Sequence, residues 1–243
     1  MIGRIWYFFK TSFNSCLVSK KRTAIFLALI LLFAIIIGLV NVPYSWGIAV
    51  ICYVFYVSYG MQFAGELIGG REFLPKFNFK AIPIGIKALI VLWIYGTLQA
   101  LILLGISTLF NFPSFEFEKF FLEFSETFHL IFTHSPVNTV LFFALSIVIT
   151  YIFGFFIEIA LAHLVDNGSF ADAFNFKLLK HYIDNIGWVE YVKDYTAVVL
   201  ALLICSSLEF IPVFEFLTSS ISFLLIFMVE FCAINVIYRK MKN

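Results

Sequence analysis

The chain has 243 residues, 62% of them hydrophobic and 13% charged, with a formal net charge of +1. A soluble domain is nearer half apolar and a quarter charged, so the composition excludes a water-soluble enzyme, and equally a disordered chain. The near-zero charge supplies no basic field for nucleic acid. What remains is an all-α protein embedded in a membrane.

Residues 1–19 predict an amphipathic helix. Ile2, Ile5, Trp6, Phe9 and Phe13 recur at helical spacing, with Arg4, Lys10, Thr11 and Asn14 off that face. Such a helix lies in the cytoplasmic interface rather than across the bilayer, and it lacks the cleavage pattern of a signal peptide. A bilayer core about 30 Å thick needs roughly 20 apolar residues of helix. Six stretches approach that length: 23–40, 46–68, 84–110, 137–165, 192–211 and 213–238. Pro43 and Pro212 mark turns, and Ser135-Pro136 reads as a cap followed by proline in the first turn. The fifth stretch is the weakest, because Glu190, Lys193 and Asp194 crowd its start.

Between the third and fourth stretches, 114–133 predicts a second interfacial helix. Phe117, Phe120, Phe121, Phe124 and Phe128 line one side, with Glu116, Glu118, Glu123 and Glu126 among them. It reads as a lid or docking surface, or more plainly as a connector lying on lipid. The fold expected is therefore a polytopic bundle of six transmembrane helices plus two interfacial amphipathic ones, forming a single membrane domain. With six spans, every lysine and arginine except Lys119 falls on the side of the chain ends. The positive-inside rule then puts both termini in the cytoplasm of a cell-membrane protein. Trp6, Trp46 and Trp188 fall near the expected interfaces. Cys16, Cys52, Cys205 and Cys232 form no metal spacing and read as small hydrophobes rather than a disulfide framework.

Two segments echo each other without gaps. ELIGGREFLPKFNFKAI from Glu66 aligns with HLVDNGSFADAFNFKLL from His163, and FNFK recurs at 77–80 and 174–177. Two spans separate them, so the echo predicts a parallel repeat, with each copy leading from one span to the next. Parallel repeats occur in transporters with the site at the repeat interface, and also in proteins that transport nothing.

GGREFLPKFNFKAIPIGIKALIVLWIY and NGSFADAFNFKLLKHYIDNIGWVEYV carry "LPxF…GxK…Y" and "gSfxxAFxF…IGWxxY" signatures. Over about residues 10–210 the chain resembles a family of archaeal multi-pass membrane proteins of unknown function. It is more loosely similar to the non-catalytic membrane domains of bacterial glycerophosphodiester phosphodiesterases. The resemblance implies a multi-pass membrane protein and carries over no catalytic residue. The matching positions are Pro75, Phe77, Lys87, Tyr95, Phe174, Phe176, Gly187, Trp188 and Tyr191. They are expected to shape turns before anything chemical.

An ionisable group at mid-bilayer costs ~2–3 kcal/mol or more, so it should face the bundle interior with a partner. The candidates are Glu66, Glu158, His163 and Glu230, with Tyr59 and Tyr151 each seven residues ahead of an acid, and Gln62 and Gln99 adding amides. Glu158 and Glu230 sit at similar depth, ~10–12 Å from one boundary. If the two are close they would share a proton and form a polar pocket for a cation, a proton or an amine-bearing solute. The plainer reading is that each acid serves packing specificity.

No nucleophile elbow, zinc-protease motif or phosphate loop is present. Glu126, His129 and His134 are poorly spaced for a metal, so no metal or cofactor is expected, and no catalysis. The function expected is a lipid- or protein-binding scaffold component. Its partners would be membrane lipids, other membrane proteins or further copies of itself, and no nucleic acid. A small-solute or ion transporter is the alternative.

Overall fold

The computed structural model describes residues 2–17, 46–70, 75–110, 135–210 and 215–242, with single helical residues at 24, 28 and 31. The expected outer helix 114–133 lies outside these residues, as does the expected span 23–40 apart from those three positions. Among the described residues there is no strand. Among the described residues seven α-helices follow in order: α1 Ile2–Leu17, α2 Trp46–Ile68, α3 Ile82–Leu109, α4 Pro136–Asn167, α5 Phe176–Ile186, α6 Trp188–Ser206 and α7 Glu215–Lys242. Three of the described helical stretches, Phe79–Leu109, Pro136–Asp166 and Thr218–Lys242, are long and apolar enough to cross a membrane.

The chain forms two compact units: Met1–Val91 with Glu158–Asn243, and Leu92–Ile157. In the first, α7 is the hub and packs on α2, α6, α1 and α5. Its middle is almost continuously buried, through Leu224, Phe227, Met228, Val229, Phe231, Cys232, Ala233 and Ile234. An apolar helix without a polar side has to be covered by protein or by lipid. Here α7 is covered by its neighbours, and small residues let them come close. A Cβ added to Gly60 would stand 2.2 Å from the Phe231 ring, and one added to Gly85 would stand 2.5 Å from the Ser58 Cα. Cys205 and Cys232 are buried.

The second unit is an antiparallel pair, the end of α3 against the start of α4. Tyr95 meets Phe153 edge-on at 6.3 Å, Phe110 meets Phe142 at 6.4 Å, and Gln99 donates to the Thr150 hydroxyl at 2.8 Å. Trp93, Leu109, Val137 and Ile147 are exposed. Only 11% of the most apolar window of α3 or α4 is buried, against 67% for α7, so these two helices present apolar flanks suited to a bilayer core. The protein is a membrane protein.

The second copy of the echo departs from expectation. The first leads through a 3-10 turn, Phe79–Ala81, into the apolar α3. The second does not lead directly into a span. It leads into α5, an eleven-residue amphipathic helix, which turns at Gly187 into α6. Lys177, Lys180, His181 and Asp184 are too polar to continue as bilayer-spanning helix. The expected fifth span, 192–211, also begins earlier: α6 starts at Trp188 and takes in Glu190, Lys193 and Asp194, because those charges are satisfied at its foot.

Candidate functional site

The charges at the foot of α6 hold α1. Arg4 of α1 donates to Glu190 Oε2 at 2.7 Å and to Asp194 Oδ1. Lys240 of α7 donates to the other Asp194 oxygen, and Lys193 lies 3.3 Å from Glu190. The Asp194 side chain is 6% exposed, so its charge is compensated by cations from two other helices. The hydrogen bond from Arg4, then that from Lys193, holds the Glu190 carboxyl below its ordinary value. Conversely, Glu190 holds the Arg4 guanidinium above its own.

Beside this cluster lies a cleft of about 360 Å³ lined by Gly3, Arg4 and Tyr7 of α1, Asp194 of α6, and Arg239 and Lys240 of α7. Arg239, although exposed, donates to the Leu67 carbonyl at 3.0 Å. Of its three cationic side chains, Arg4 and Lys240 already pair with Asp194, which leaves Arg239 as the cation of the rim that is in no carboxylate pair among the described residues. On the far side of α1, Ile2 and Trp6 are 84% and 67% exposed. In the sequence alone Glu190 and Asp194 read as a weakness of a span. Their i, i+4 spacing was the available signal that both acids share one helix face.

The candidate acids do not all meet. Glu158 is buried in the last third of α4, within electrostatic reach of Glu230 on α7. Glu66 is half-buried on α2. His163 is buried, with Nε2 3.4 Å from Asp172 and its ring 5.2 Å from that of Tyr182. Hydrogen bonds from Ser169, then His163, hold the Asp172 carboxyl below its ordinary value. Tyr59 turns instead to the loop after α2, donating to the Pro75 carbonyl at 3.0 Å. Tyr151 belongs to the other unit, where it stacks on Phe155. Of the weak metal candidates, Glu126, His129 and His134 lie outside the described residues. Among the described ones no three His, Cys, Asp or Glu side chains converge.

Several signature residues lie at corners, while Lys87 and Tyr95 lie within α3. Gln62 donates to the Lys76 carbonyl and accepts from the Asn78 amide, at 2.7 and 2.9 Å. Phe77 packs on Phe55, Tyr59 and Phe79. The asparagine shared by both FNFK copies is a helix cap in each. Asn78 accepts from the Lys80 amide, and Asn175 from that of Leu178. Lys87 donates to the Gly168 carbonyl at 2.6 Å and so ties α3 to the second turn. Phe174 meets Phe170 edge-on, and Phe176 is exposed. Gly187, at φ 88°, makes the corner between α5 and α6. There Trp188 donates to Asp184 at 2.6 Å and Tyr191 is fully buried.

A family described as "Protein of unknown function (DUF4013)" matches residues 42–238, and the chain belongs to that family. No curated protein and no solved structure matches it.

Proposed function

We propose, from membership of a family that carries no assigned activity, that this protein is a non-catalytic membrane component that binds anionic lipid headgroups at the foot of its bundle. The observation behind this reading is the posture of α1. Arg4 is turned inward to Glu190 and Asp194, while Ile2 and Trp6 point outward beside a cleft with Arg239 and Lys240 on its rim. A helix held so has an apolar face for the acyl boundary and cations at headgroup level. In this reading the chain crosses the membrane six times, and its basic foot faces the cytoplasm. The archaeal origin and the likeness to phosphodiesterase membrane domains rest on the two signatures alone.

The test is native mass spectrometry of protein released from nanodiscs of mixed phosphatidylglycerol and phosphatidylcholine. The wild type should retain phosphatidylglycerol preferentially. Arg239→Ala combined with Trp6→Ala should reduce that retention about fivefold or more in protein that still folds, since each juxtamembrane cation contributes ~1 kcal/mol. Equal retention of the two lipids by the wild type would overturn the reading.

Transport of a small solute is the second reading, favoured by the buried Glu158 carboxyl, whose Oε2 has no hydrogen-bond partner among the described residues. Glu158→Gln would then abolish ligand-dependent thermal stabilisation without unfolding the protein. A broad solute panel with no stabilisation of the wild type would remove this reading.

A further inference from the structure

Three buried polar atoms have no hydrogen-bond partner among the described residues: Glu158 Oε2, His163 Nδ1 and Asn235 Oδ1. Their residues are 7%, 2% and 3% exposed. A buried polar atom left unpaired forfeits its hydration without recompense. Three such atoms in one unit therefore call for an explanation.

They lie on two helices that run in the same direction. Tyr238 and Lys242, at the end of α7, both reach Asp166 at the end of α4, at 2.7 and 3.1 Å. Asp166 and Tyr238 are 72 residues apart, and the same separation relates His163 to Asn235 and Glu158 to Glu230. With both helices rising ~1.5 Å per residue, these pairs stand at matching heights, to within about a turn. The two glutamates are deepest, the histidine and asparagine lie ~7 Å nearer the helix ends, and the Asp166–Tyr238 pair is ~5 Å beyond them. The steps are too long for one metal ion to bridge at ~2.0–2.6 Å from each ligand. Residues five apart also lie ~140° apart around a helix, so proton exchange between these levels runs through water rather than by direct contact.

We propose that Glu158 and Glu230 form a proton-binding pair, loaded from the Asp166 end of α4 through His163 and Asn235. The proton comes from water at the exposed foot, where Asp172 faces His163 Nε2. The imidazole accepts a proton on one ring nitrogen and releases one from the other, ending neutral as it began. The released proton adds to one carboxylate of the glutamate pair, so the pair's charge falls from −2 to −1. Asn235, level with His163, holds the intervening water through its free carbonyl oxygen. The groups around the path are Tyr53 and Tyr56 of α2 beside Glu230, Tyr182 of α5 against His163, Asp172 on the turn, and Asp166, Tyr238 and Lys242 at the mouth. This site does not rest on the lipid-binding reading and would survive its failure.

Infrared difference spectroscopy of the full-length protein in nanodiscs tests the proposal directly. The wild type should show one protonated-carboxyl band that titrates with pH. Glu158→Gln and Glu230→Gln should each abolish it, and either variant alone suffices should the other fail to fold. His163→Phe, which keeps a ring against Tyr182, should leave the band in place and slow its hydrogen–deuterium shift about 100-fold. No such band in the wild type, or a band that survives in the folded glutamine variants, overturns the proton-binding pair. An unchanged exchange rate in His163→Phe overturns the access route.

Discussion

Gly85 of α3 lies against Ser58 of α2 so closely that a Cβ added to it would stand 2.0 Å from the serine hydroxyl and 2.5 Å from the serine Cα. The hydroxyl could rotate away, but the Cα belongs to a helix backbone and cannot. The absence of a side chain at 85 therefore fixes the distance between two helices in the first unit.

Gly85→Ala should accordingly destabilise the protein by about 1–3 kcal/mol, the usual cost of overpacking. Gly96→Ala, where an added Cβ meets nothing within 4 Å, should be neutral or gain up to ~1 kcal/mol of helix propensity. Thermal unfolding of both variants in the same detergent checks this. Equal melting temperatures would refute the close contact.

Asp194→Asn removes the charge shared by Arg4 and Lys240. Both cations are partly exposed and can hydrate, so the loss should be about 1–3 kcal/mol, concentrated at α1. Hydrogen exchange across 2–17 should accelerate more than exchange in the middle of α7. A uniform change, or none, would show that α1 is held by something else.

Acid should release α1 before the bundle unfolds. Glu190 titrates below its ordinary value because of Arg4 and then Lys193. A carboxylate whose folded value is depressed stabilises the folded state fully above its unfolded value, ~4.3. That contribution disappears as pH falls through the lower folded value. Trp6 fluorescence should therefore change in a step below about pH 4.3, and Glu190→Gln should abolish the step. A step that persists in the variant would assign it to other groups.

Asn78→Ala and Asn175→Ala should each cost about 1 kcal/mol, as losses of helix caps do. Circular dichroism melts would show it, and a near-zero effect of either would deny that asparagine its capping role.

Much of the architecture was legible in the chain. The ends of α2, α3 and α4 fall within a few residues of expectation, because apolar length is what a spanning helix needs and Pro136 opens a helix where its missing N–H costs nothing. Other features depended on distant partners. Tyr59 and Glu66 share a helix face in the sequence, yet the tyrosine is drawn off by the Pro75 carbonyl. Glu158 and Glu230 could be placed at similar depth by counting. That Asn235 stands level with His163 follows only from the register set by Tyr238 and Asp166. The acids of α6 looked like a flaw in a span because Arg4, which neutralises them, lies at the other end of the chain.

That separation has a consequence for biosynthesis. Arg4 leaves the ribosome 190 residues before Asp194, which at ~5–20 residues per second is a delay of roughly 10–40 s. Throughout it α1 has no protein counter-charge at its foot, so its arginine has to stay in contact with water while Ile2 and Trp6 settle at the lipid surface. α1 is therefore made long before it can dock, and until then the nascent chain is tethered to the membrane surface by a segment that has not yet found its place.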